Sequence, residues 1–303
     1  MDWFPLALIC AFSLASADAA TKAWLQGYSA RELSLLRFTL TGVLLLPLLA
    51  GIPAPWSLPA AFWGWMLVMW PLEIVAMLLY MAAIRDHPLS LTLPYLAFTP
   101  VLALLVAYVL LGERVSAQGG AGIMLVVIGA WLLNAGHARL RDWRSWGAPM
   151  SAILWEPGSR MMLAVAAIYA FTATMGKVAL RYLPPQQFGA FYFVALGLLV
   201  PLVFALPFGR LIPGERVASW RALTALFRRP LAVLTVTGLN ALMVYTHFLA
   251  LQRTEVAYMI AVKRTSLLFG ILYGALLFRE TGMRTRLPAG VLMLAGVVTI
   301  LTG

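Results

Sequence analysis

The chain has 303 residues, of which 62% are hydrophobic and 11% are charged, and its formal net charge is +11. Soluble globular domains are about half apolar and about one quarter charged, so this composition excludes a soluble protein and indicates an integral membrane protein. Most arginines lie in short connections between apolar runs, where cations set the orientation in a bilayer, so the positive charge does not indicate a nucleic-acid partner.

Ten apolar runs follow one another along the chain, each with about the 17–25 residues that a membrane-spanning helix needs. Lipid requires an internally bonded backbone, and alternating strand patterns are missing, so helices spanning the lipid bilayer are predicted. The first run lacks a preceding cation and a small-residue cleavage signal, which favours a retained helix over a signal peptide. Pro94 and Pro100 predict a kink in the fourth span. The predicted spans are residues 3–24, 33–50, 62–84, 89–111, 118–137, 161–183, 187–206, 231–251, 257–278 and 286–302.

The two halves of the chain repeat each other. One constant offset places Glu113 on Glu280, and a second, shorter offset places Lys22 on Lys177. Each half has five spans, an odd number, so the halves must have opposite orientations in the membrane. Inverted repeats are typical of secondary transporters, which bind substrate near the midplane at the repeat interface. The predicted fold is therefore an all-α membrane protein of ten transmembrane helices, arranged as two inverted five-helix repeats.

The repeats are predicted to cover residues 1–138 and 161–303, with a polar linker rich in Trp and Arg at 139–160. The difference between the two offsets corresponds to an insertion between the seventh and eighth spans. Its apolar side chains fall near one helical face, so this segment is predicted to lie on the membrane surface. The residues of that face are Val217, Trp220, Leu223 and Phe227.

Three stretches carry a resemblance to a known family: LSLLRFTLTGVLLLPLLAG, after a first helix that ends at Lys22, and the glutamate-containing turns VLLGERVSAQGGAG and LLFRETGMR. The sequence resembles the ten-helix EamA-type branch of the drug/metabolite transporter superfamily over nearly its whole length. The resemblance implies a transporter. In the middle of the first helix this chain reads SASADAATK, where members of the family usually have tryptophan, glycine and a small polar residue.

Ionisable side chains inside a bilayer are costly, so each is a candidate for function. Asp18 and Lys22 are four residues apart with the acid first, so they can pair on one helix face, in a structural or a proton-coupling role. Arg37 begins the second span, where snorkelling or packing is favoured. Glu73 lies at the centre of the third span. It either pairs with a cation of another helix or takes up and releases protons.

Lys263 and Arg264 stand side by side in the ninth span and point about 100° apart on a helix, so both cannot snorkel along one face. Their equivalents in the first half are Leu96 and Ala97, so the cations occur in one repeat only. Cations also outnumber carboxylates within the spans. These features predict a site for an anionic group such as a carboxylate or a phosphate.

The same pair resembles the Lys-Arg couple that clamps phosphate in plant sugar-phosphate translocators. That resemblance extends to Lys263 and Arg264 alone. The alternative is a structural pair, neutralised by Glu73 and Asp18.

The other candidates for the substrate site are weaker. Lys177 is flanked by small residues in YAFTATMGKVAL and is predicted to line the same cavity. Three tyrosines and a histidine are candidates for hydrogen bonding or stacking: Tyr95, Tyr245, His247 and Tyr258. Tyrosine is more often an interface anchor, however, and a lone histidine is more often structural. The single cysteine and the separated histidines predict neither a metal site nor a cofactor.

These features predict a secondary active transporter of a small organic solute, anionic or zwitterionic, with protons as a further candidate partner. Export of amino acids or amphiphilic drugs, that is efflux, is the alternative within the same class. A non-transporting scaffold and a lipid-modifying enzyme are alternatives of a different class. No nucleophile, acid/base set or GxxxxGK motif supports an enzyme or an ATP-driven pump, so no enzyme is predicted.

Most arginines lie in the connections opposite the two termini, which predicts that both termini face outside. The sequence is expected to be a multi-pass protein of the bacterial inner (plasma) membrane. A monomer is predicted, and a dimer is left open.

Overall fold

The computed structural model describes residues 2–25, 28, 30–86, 93–134, 156–205, 224, 228–277 and 283–303. These residues form helices and short connections, and none of them lies in a strand. The first half contains α1 (Trp3–Trp24), α2 (the successive segments Ala30–Leu35, Leu36–Leu40, Thr41–Leu45 and Leu46–Leu49), α3 (Ala60–Asp86), α4 (Leu93–Phe98 and Thr99–Leu111) and α5 (Ala117–Asn134). The second half contains α6 (Pro157–Ala179), α7 (Pro185–Ala205), α8 (Pro230–Arg253), α9 (Val256–Lys263 and Ser266–Leu277) and α10 (Met283–Thr302).

Each of the ten predicted spans corresponds to one of these ten helices, so the all-α prediction is confirmed. Seven helices are long and apolar enough to cross a membrane, and the shorter apolar stretches Tyr95–Leu111, Ala117–Leu132 and Leu287–Thr302 belong to α4, α5 and α10. The apolar face predicted in the insertion, and the linker up to residue 155, lie outside the described residues. The boundaries between repeats and linker stay a prediction.

The packing of the helices follows the repeat. Helix α1 packs along α8, and its repeat equivalent α6 packs along α3, which is the equivalent of α8. Helix α6 also packs on α4, and α1 on α9. The repeat therefore relates the contacts of one half to those of the other, as a pseudo-two-fold axis requires.

Two glycines mark that axis where α2 crosses α7. A Cβ atom built on Gly42 would lie 2.9 Å from the Phe193 carbonyl oxygen, and one on Gly197 would lie 3.1 Å from the Phe38 carbonyl oxygen. Gly42 and Gly197 are repeat equivalents, and so are the two phenylalanines, whose ring centroids are 5.9 Å apart. Small residues let the two backbones approach without side chains between them.

Helices α5 and α10 cross in the same way. A Cβ atom on Gly122 would lie 2.7 Å from the Gly296 carbonyl oxygen, and one on Gly129 would lie 2.7 Å from the Ala289 carbonyl oxygen. The repeat places Gly122 on Ala289 and Gly129 on Gly296, so these two contacts are equivalent. The last helices of the two repeats are therefore in close backbone contact. Among the described residues, neither of these helices lines the central cavity that lies between the repeats.

Candidate functional site

A central cavity of about 220 Å³ lies between the two repeats. Its polar lining comes from α2, α3, α4, α6, α7, α8 and α9: Arg37, Glu73, Thr99, Tyr169, Thr172, Tyr192, Asn240, His247, Lys263 and Arg264. Its apolar lining is Leu14, Phe38, Met69, Met77, Ala173, Phe193, Met243, Val244, Phe248 and Ile260. The cavity can thus hold a small solute that has both charged and apolar parts.

Two helices, α4 and α9, are interrupted where they line the central cavity. Helix α4 changes from a 3-10 to an α segment between Phe98 and Thr99, and α9 is broken at Arg264 and Thr265. The repeat alignment places Thr99 on Ser266, which begins the second segment of α9, so the two breaks are equivalent. The predicted irregularity in α4 is present as this change of helix type. The equivalent break in α9 was not predicted, because α9 contains no proline. Discontinuous helices at the midplane are where secondary transporters bind their solutes.

The break in α9 positions the first of the predicted cations. The Arg264 guanidinium donates a hydrogen bond of 2.7 Å to the Thr99 hydroxyl oxygen, which brings α9 and α4 together across the cavity. Thr99 in turn donates to the Leu96 carbonyl oxygen at 2.7 Å. Among the described residues, the buried Nε atom of Arg264 has no hydrogen-bond partner. Arg264 therefore lines the cavity with part of its guanidinium group held by Thr99.

Lys263 is the second predicted cation in the cavity. Its Nζ lies 3.5 Å from Nδ1 of His247, which belongs to α8. A lysine ammonium group only donates hydrogen bonds, so a bond between the two requires a His247 Nδ1 that carries no proton. The structure thus brings together three residues predicted for the site: Lys263, Arg264 and His247.

Glu73 is the carboxylate of the cavity. The Tyr192 hydroxyl of α7 donates to its Oε2 at 3.3 Å, and the Thr172 side chain of α6 also hydrogen-bonds Glu73. Among the described residues, no cation lies within the 4.0 Å of an ion pair to Glu73. The predicted central position of this carboxyl group is confirmed, and its hydrogen-bond partners are hydroxyl groups.

Arg37 also faces the cavity, where packing or snorkelling was predicted. It forms an ion pair with Asp18, whose side chain is 53% exposed. Asp18 thus reaches from α1 to α2, while Lys22, its predicted partner, is exposed at the end of α1. Asn240 of α8 donates to the Arg37 carbonyl oxygen at 3.4 Å and to the Thr41 hydroxyl at 3.1 Å. These contacts hold the π-helical turn of α2 against the cavity.

Lys177 does not lie in the central cavity, in contrast to the prediction. Its ammonium group forms an ion pair with Glu113 and donates to the Thr254 carbonyl oxygen at 2.6 Å. The other carboxylate oxygen of Glu113 accepts from the Val256 backbone N–H at 2.9 Å. Lys177 and Glu113 line a separate cavity of about 320 Å³ at the ends of their helices. The small-residue face of α6 beside Lys177 packs closely against α8, where Gly176 faces Phe248 and Leu251.

The three predicted tyrosines also lie outside the lining of the central cavity. Tyr95 is buried against Trp131, with ring centroids 5.4 Å apart. The Tyr258 hydroxyl accepts from the Ser116 backbone N–H at 3.3 Å, beside the start of α5. Tyr245 is half-buried on α8.

Sequence reasoning missed several residues that line the cavity. Its hydroxyl and amide groups come from Thr99, Tyr169, Thr172, Tyr192 and Asn240. Thr99 could have been found, because it lies between the two prolines of the predicted kink and aligns with Ser266, two residues after the Lys-Arg pair. The others resemble ordinary interface or packing residues until the helices are assembled. Within the described part of the chain, no group of three or more His, Cys, Asp or Glu side chains could hold a metal ion.

Comparison with known proteins adds an independent line of evidence. The EamA-like transporter family matches residues 2–135 and 157–302. A solved crystal structure superimposes with a TM-score of 0.72 over 99% of this chain and 96% of the other, at 17% sequence identity. That likeness shows the fold alone. No curated protein matches the sequence significantly.

Proposed function

Because the chain belongs to the EamA-like transporter family, we propose that it is a secondary active transporter of a small organic anion or zwitterion. The family is one of membrane transporters in the drug/metabolite transporter superfamily, so a small solute and the lipid bilayer are its partners. In this proposal Lys263 and Arg264 bind the anionic group of the solute, a carboxylate or a phosphate.

The observation that supports this proposal most is the charge of Arg264. Its guanidinium faces the cavity beside Thr99, and within the described residues no carboxylate lies within 4.0 Å of it. A buried charge without a partner is unfavourable unless a ligand supplies one. An incoming anion would accept hydrogen bonds from the guanidinium group of Arg264 and from the ammonium group of Lys263, because the forked donors of arginine suit a carboxylate or a phosphate.

Alternating access between the repeats fits the two interrupted helices. A break in α4 and an equivalent break in α9 allow the half of each helix on one side of the cavity to move while the other half stays packed. The two breaks are related by the repeat, so the same movement on opposite sides would open the cavity to each side in turn. Glu73 is a candidate for linking this movement to protons.

An amino-acid or drug exporter is the second candidate. Glu73 lies in the same cavity as Arg264 and could receive the ammonium group of an amino acid while Arg264 holds its carboxylate. The aromatic and methionine side chains of the lining suit an amphiphilic solute. A scaffold without transport activity and a lipid-modifying enzyme are the alternatives of another class, and substrate-dependent flux separates transport from both.

The test begins with the purified full chain and its thermal stabilisation by phosphorylated sugars, amino acids and quaternary amines. A stabilising compound is then followed across the membrane of proteoliposomes. We expect Lys263→Ala and Arg264→Ala each to lower its uptake at least tenfold while folding is retained, because each removes a charge-assisted contact. Arg253→Ala, at the exposed end of α8, is the matched control and should leave uptake unchanged. Normal transport by both cavity variants would refute the anion site.

The protein is integral to the membrane and crosses it several times. We place it in the bacterial inner membrane, as a monomer, in line with its length and its single-chain cavity. Its orientation is treated in the Discussion.

A further inference from the structure

We propose that a proton and the anionic solute occupy the central cavity together: protonation of Glu73 strengthens binding of the anion to Lys263 and Arg264, so the two are transported in the same direction. This inference rests on the proposed function and adds the direction of coupling to it. It follows from the position of Glu73 relative to the two cations.

All three residues line one cavity of about 220 Å³, with Glu73 on α3 and the cations on α9. Glu73 accepts a hydrogen bond of 3.3 Å from Tyr192 and also bonds the Thr172 side chain, and among the described residues Lys263 does not approach it within 4.0 Å. Lys263 instead contacts His247. The carboxylate and the cations therefore line the same cavity without forming an ion pair among the described residues, and the charge of Lys263 acts on Glu73 across it.

The other charged and titratable groups around Glu73 add no net charge to the central cavity. Arg37 of α2 is neutralised by Asp18 of α1. His247 of α8 lies 3.5 Å from the Lys263 ammonium group, where a second positive charge would be repelled, so the ring adds no charge to the cavity in this proposal. The hydroxyl and thiol groups nearby are neutral near pH 7: Tyr80 of α3, Tyr169 of α6, Tyr192 of α7 and Cys10 of α1. The charge that an entering solute meets is consequently set by Lys263, Arg264 and Glu73.

With Glu73 ionised, these three groups sum to one positive charge, and with Glu73 protonated they sum to two. An anion is repelled by the ionised carboxylate across a cavity of low polarity, where charges interact more strongly than in water. Proton binding converts the carboxylate to a neutral carboxylic acid and removes that repulsion. Because coupling between two ligands is reciprocal, the bound anion raises the affinity of Glu73 for its proton by the same factor.

A monovalent anion and one proton together carry no net charge. Transport of such a solute should therefore respond to a pH gradient and be insensitive to the membrane potential. A solute whose ammonium group bound Glu73 would behave in the opposite way, because it would compete with the proton. The sign of the proton coupling thus separates the two kinds of solute.

Isothermal titration calorimetry of the full chain with benzoate tests this inference. Benzoate is a small monovalent carboxylate that stays ionised above pH 6. Titrations at pH 6, 7 and 8, each in two buffers of different ionisation enthalpy, give the affinity and the number of protons taken up per benzoate bound. We expect uptake approaching one proton, and a Kd that rises by up to about tenfold per pH unit where Glu73 is ionised in the free protein.

Glu73→Gln mimics the protonated carboxyl and can still accept from Tyr192. It should bind benzoate as tightly at pH 8 as at pH 6, without proton uptake. Glu156→Gln, at the start of α6 and outside the cavity, is the matched control and should behave as the unmodified chain. If Glu73→Gln fails to fold, Glu73→Asp retains a carboxyl group and should shift the pH at which uptake is half complete; an unshifted midpoint would contradict the inference.

The remaining outcomes are decisive as well. Benzoate binding without proton uptake would overturn the coupling and leave the proposed anion site standing. Uptake that persists in Glu73→Gln, or that disappears in His247→Gln while Glu73 is intact, would assign the proton elsewhere and overturn it too. If benzoate shows no saturable binding at any pH, the proposed anion site fails and this inference fails with it.

Discussion

Single hydrogen bonds set the orientation of the Lys263 and Arg264 side chains in the central cavity. Arg264 follows the last residue of a helical segment, so its backbone is held by the turn at the break, where its N–H lies 3.1 Å from the Ala261 carbonyl oxygen. Among the described residues, the hydrogen bond that holds its side chain is the one to Thr99 of another helix. Buried polar groups are almost always hydrogen-bonded, so the loss of that acceptor should release the guanidinium from its present orientation.

Thr99→Val removes the acceptor with little change in shape. We expect the affinity for an anion to fall by about five- to 150-fold, because the hydrogen bond that orients the Arg264 guanidinium toward the cavity contributes about 1–3 kcal/mol. Binding of benzoate to the purified chain measures the change. Thr235→Val is the matched control, since the Thr235 hydroxyl only donates to the Leu231 carbonyl on the exposed side of α8. Equal affinities for the two variants would show that Thr99 does not orient Arg264.

Contacts between whole helices depend on glycines at the two crossings. Helices α5 and α10 approach so closely at Gly122 that a single added methyl group would meet the backbone of α10 at Gly296 and Ile300. Backbone atoms cannot rotate away as the end of a flexible side chain can. The crossing should therefore tolerate no side chain there.

Gly122→Ala is expected to lower the melting temperature of the purified protein by several degrees, because overpacking of a tight contact costs about 1–3 kcal/mol. Gly120→Ala provides a matched control two residues earlier on α5, where a Cβ atom would meet nothing within 4 Å. That variant should be neutral or slightly stabilising, because alanine is the better helix former. Differential scanning fluorimetry compares the two, and equal melting temperatures would argue against the close crossing.

At the scale of the whole molecule, the ion pair between Glu113 and Lys177 joins the two repeats. Glu113 belongs to the connection between α4 and α5, while Lys177, Thr254 and Val256 belong to the second half. The glutamate thus binds a side chain and a backbone N–H of the opposite repeat at once. Both side chains are mostly buried, with 14% of Glu113 and 21% of Lys177 exposed.

We expect Glu113→Gln and Lys177→Met each to destabilise the protein by about 1–3 kcal/mol, since each leaves a charged partner in a poorly solvated position. The double variant should lose less than the sum of the two, because the second change removes a charge that already lacks its partner. Arg181→Met, an exposed cation beside the same cavity, is the control. Additive losses across this cycle would contradict a direct interaction in the folded protein.

Orientation is also a property of the whole molecule, and it stays a prediction from the sequence. The connections on the side of the termini contain few arginines, whereas the opposite side holds most of them. Because cations are retained in the cytoplasm, we predict that both termini lie outside. A C-terminal fusion to a protein that fluoresces only in the cytoplasm should be dark, and a fusion to periplasmic alkaline phosphatase should be active. A bright first fusion would reverse the orientation.

The sequence by itself determined the ten spans, the two repeats and the transporter family. Hydropathy is a property of windows of about twenty residues, and a segment that crosses lipid must form its hydrogen bonds within itself. Both facts are local, so they can be read without knowing which helices are neighbours. Lys263, Arg264 and Glu73 could be identified as candidates for the same reason, because an ionisable residue inside an apolar run can be recognised from its sequence neighbours alone.

Only the tertiary structure decided which of these groups meet. Asp18 pairs with Arg37 of the next helix, and Lys177 pairs with Glu113 of the other repeat. Which partner a polar side chain meets depends on where the helices cross. The crossings at Gly42 and Gly122 set the distance between backbone segments that are far apart in the sequence. Lys177 and Lys263 are both lysines in apolar runs. The assembled helices nevertheless place Lys263 at the helix break that lines the central cavity and Lys177 against the carboxylate of Glu113. Burial among specific neighbours, and not residue type, separates a site residue from a structural one.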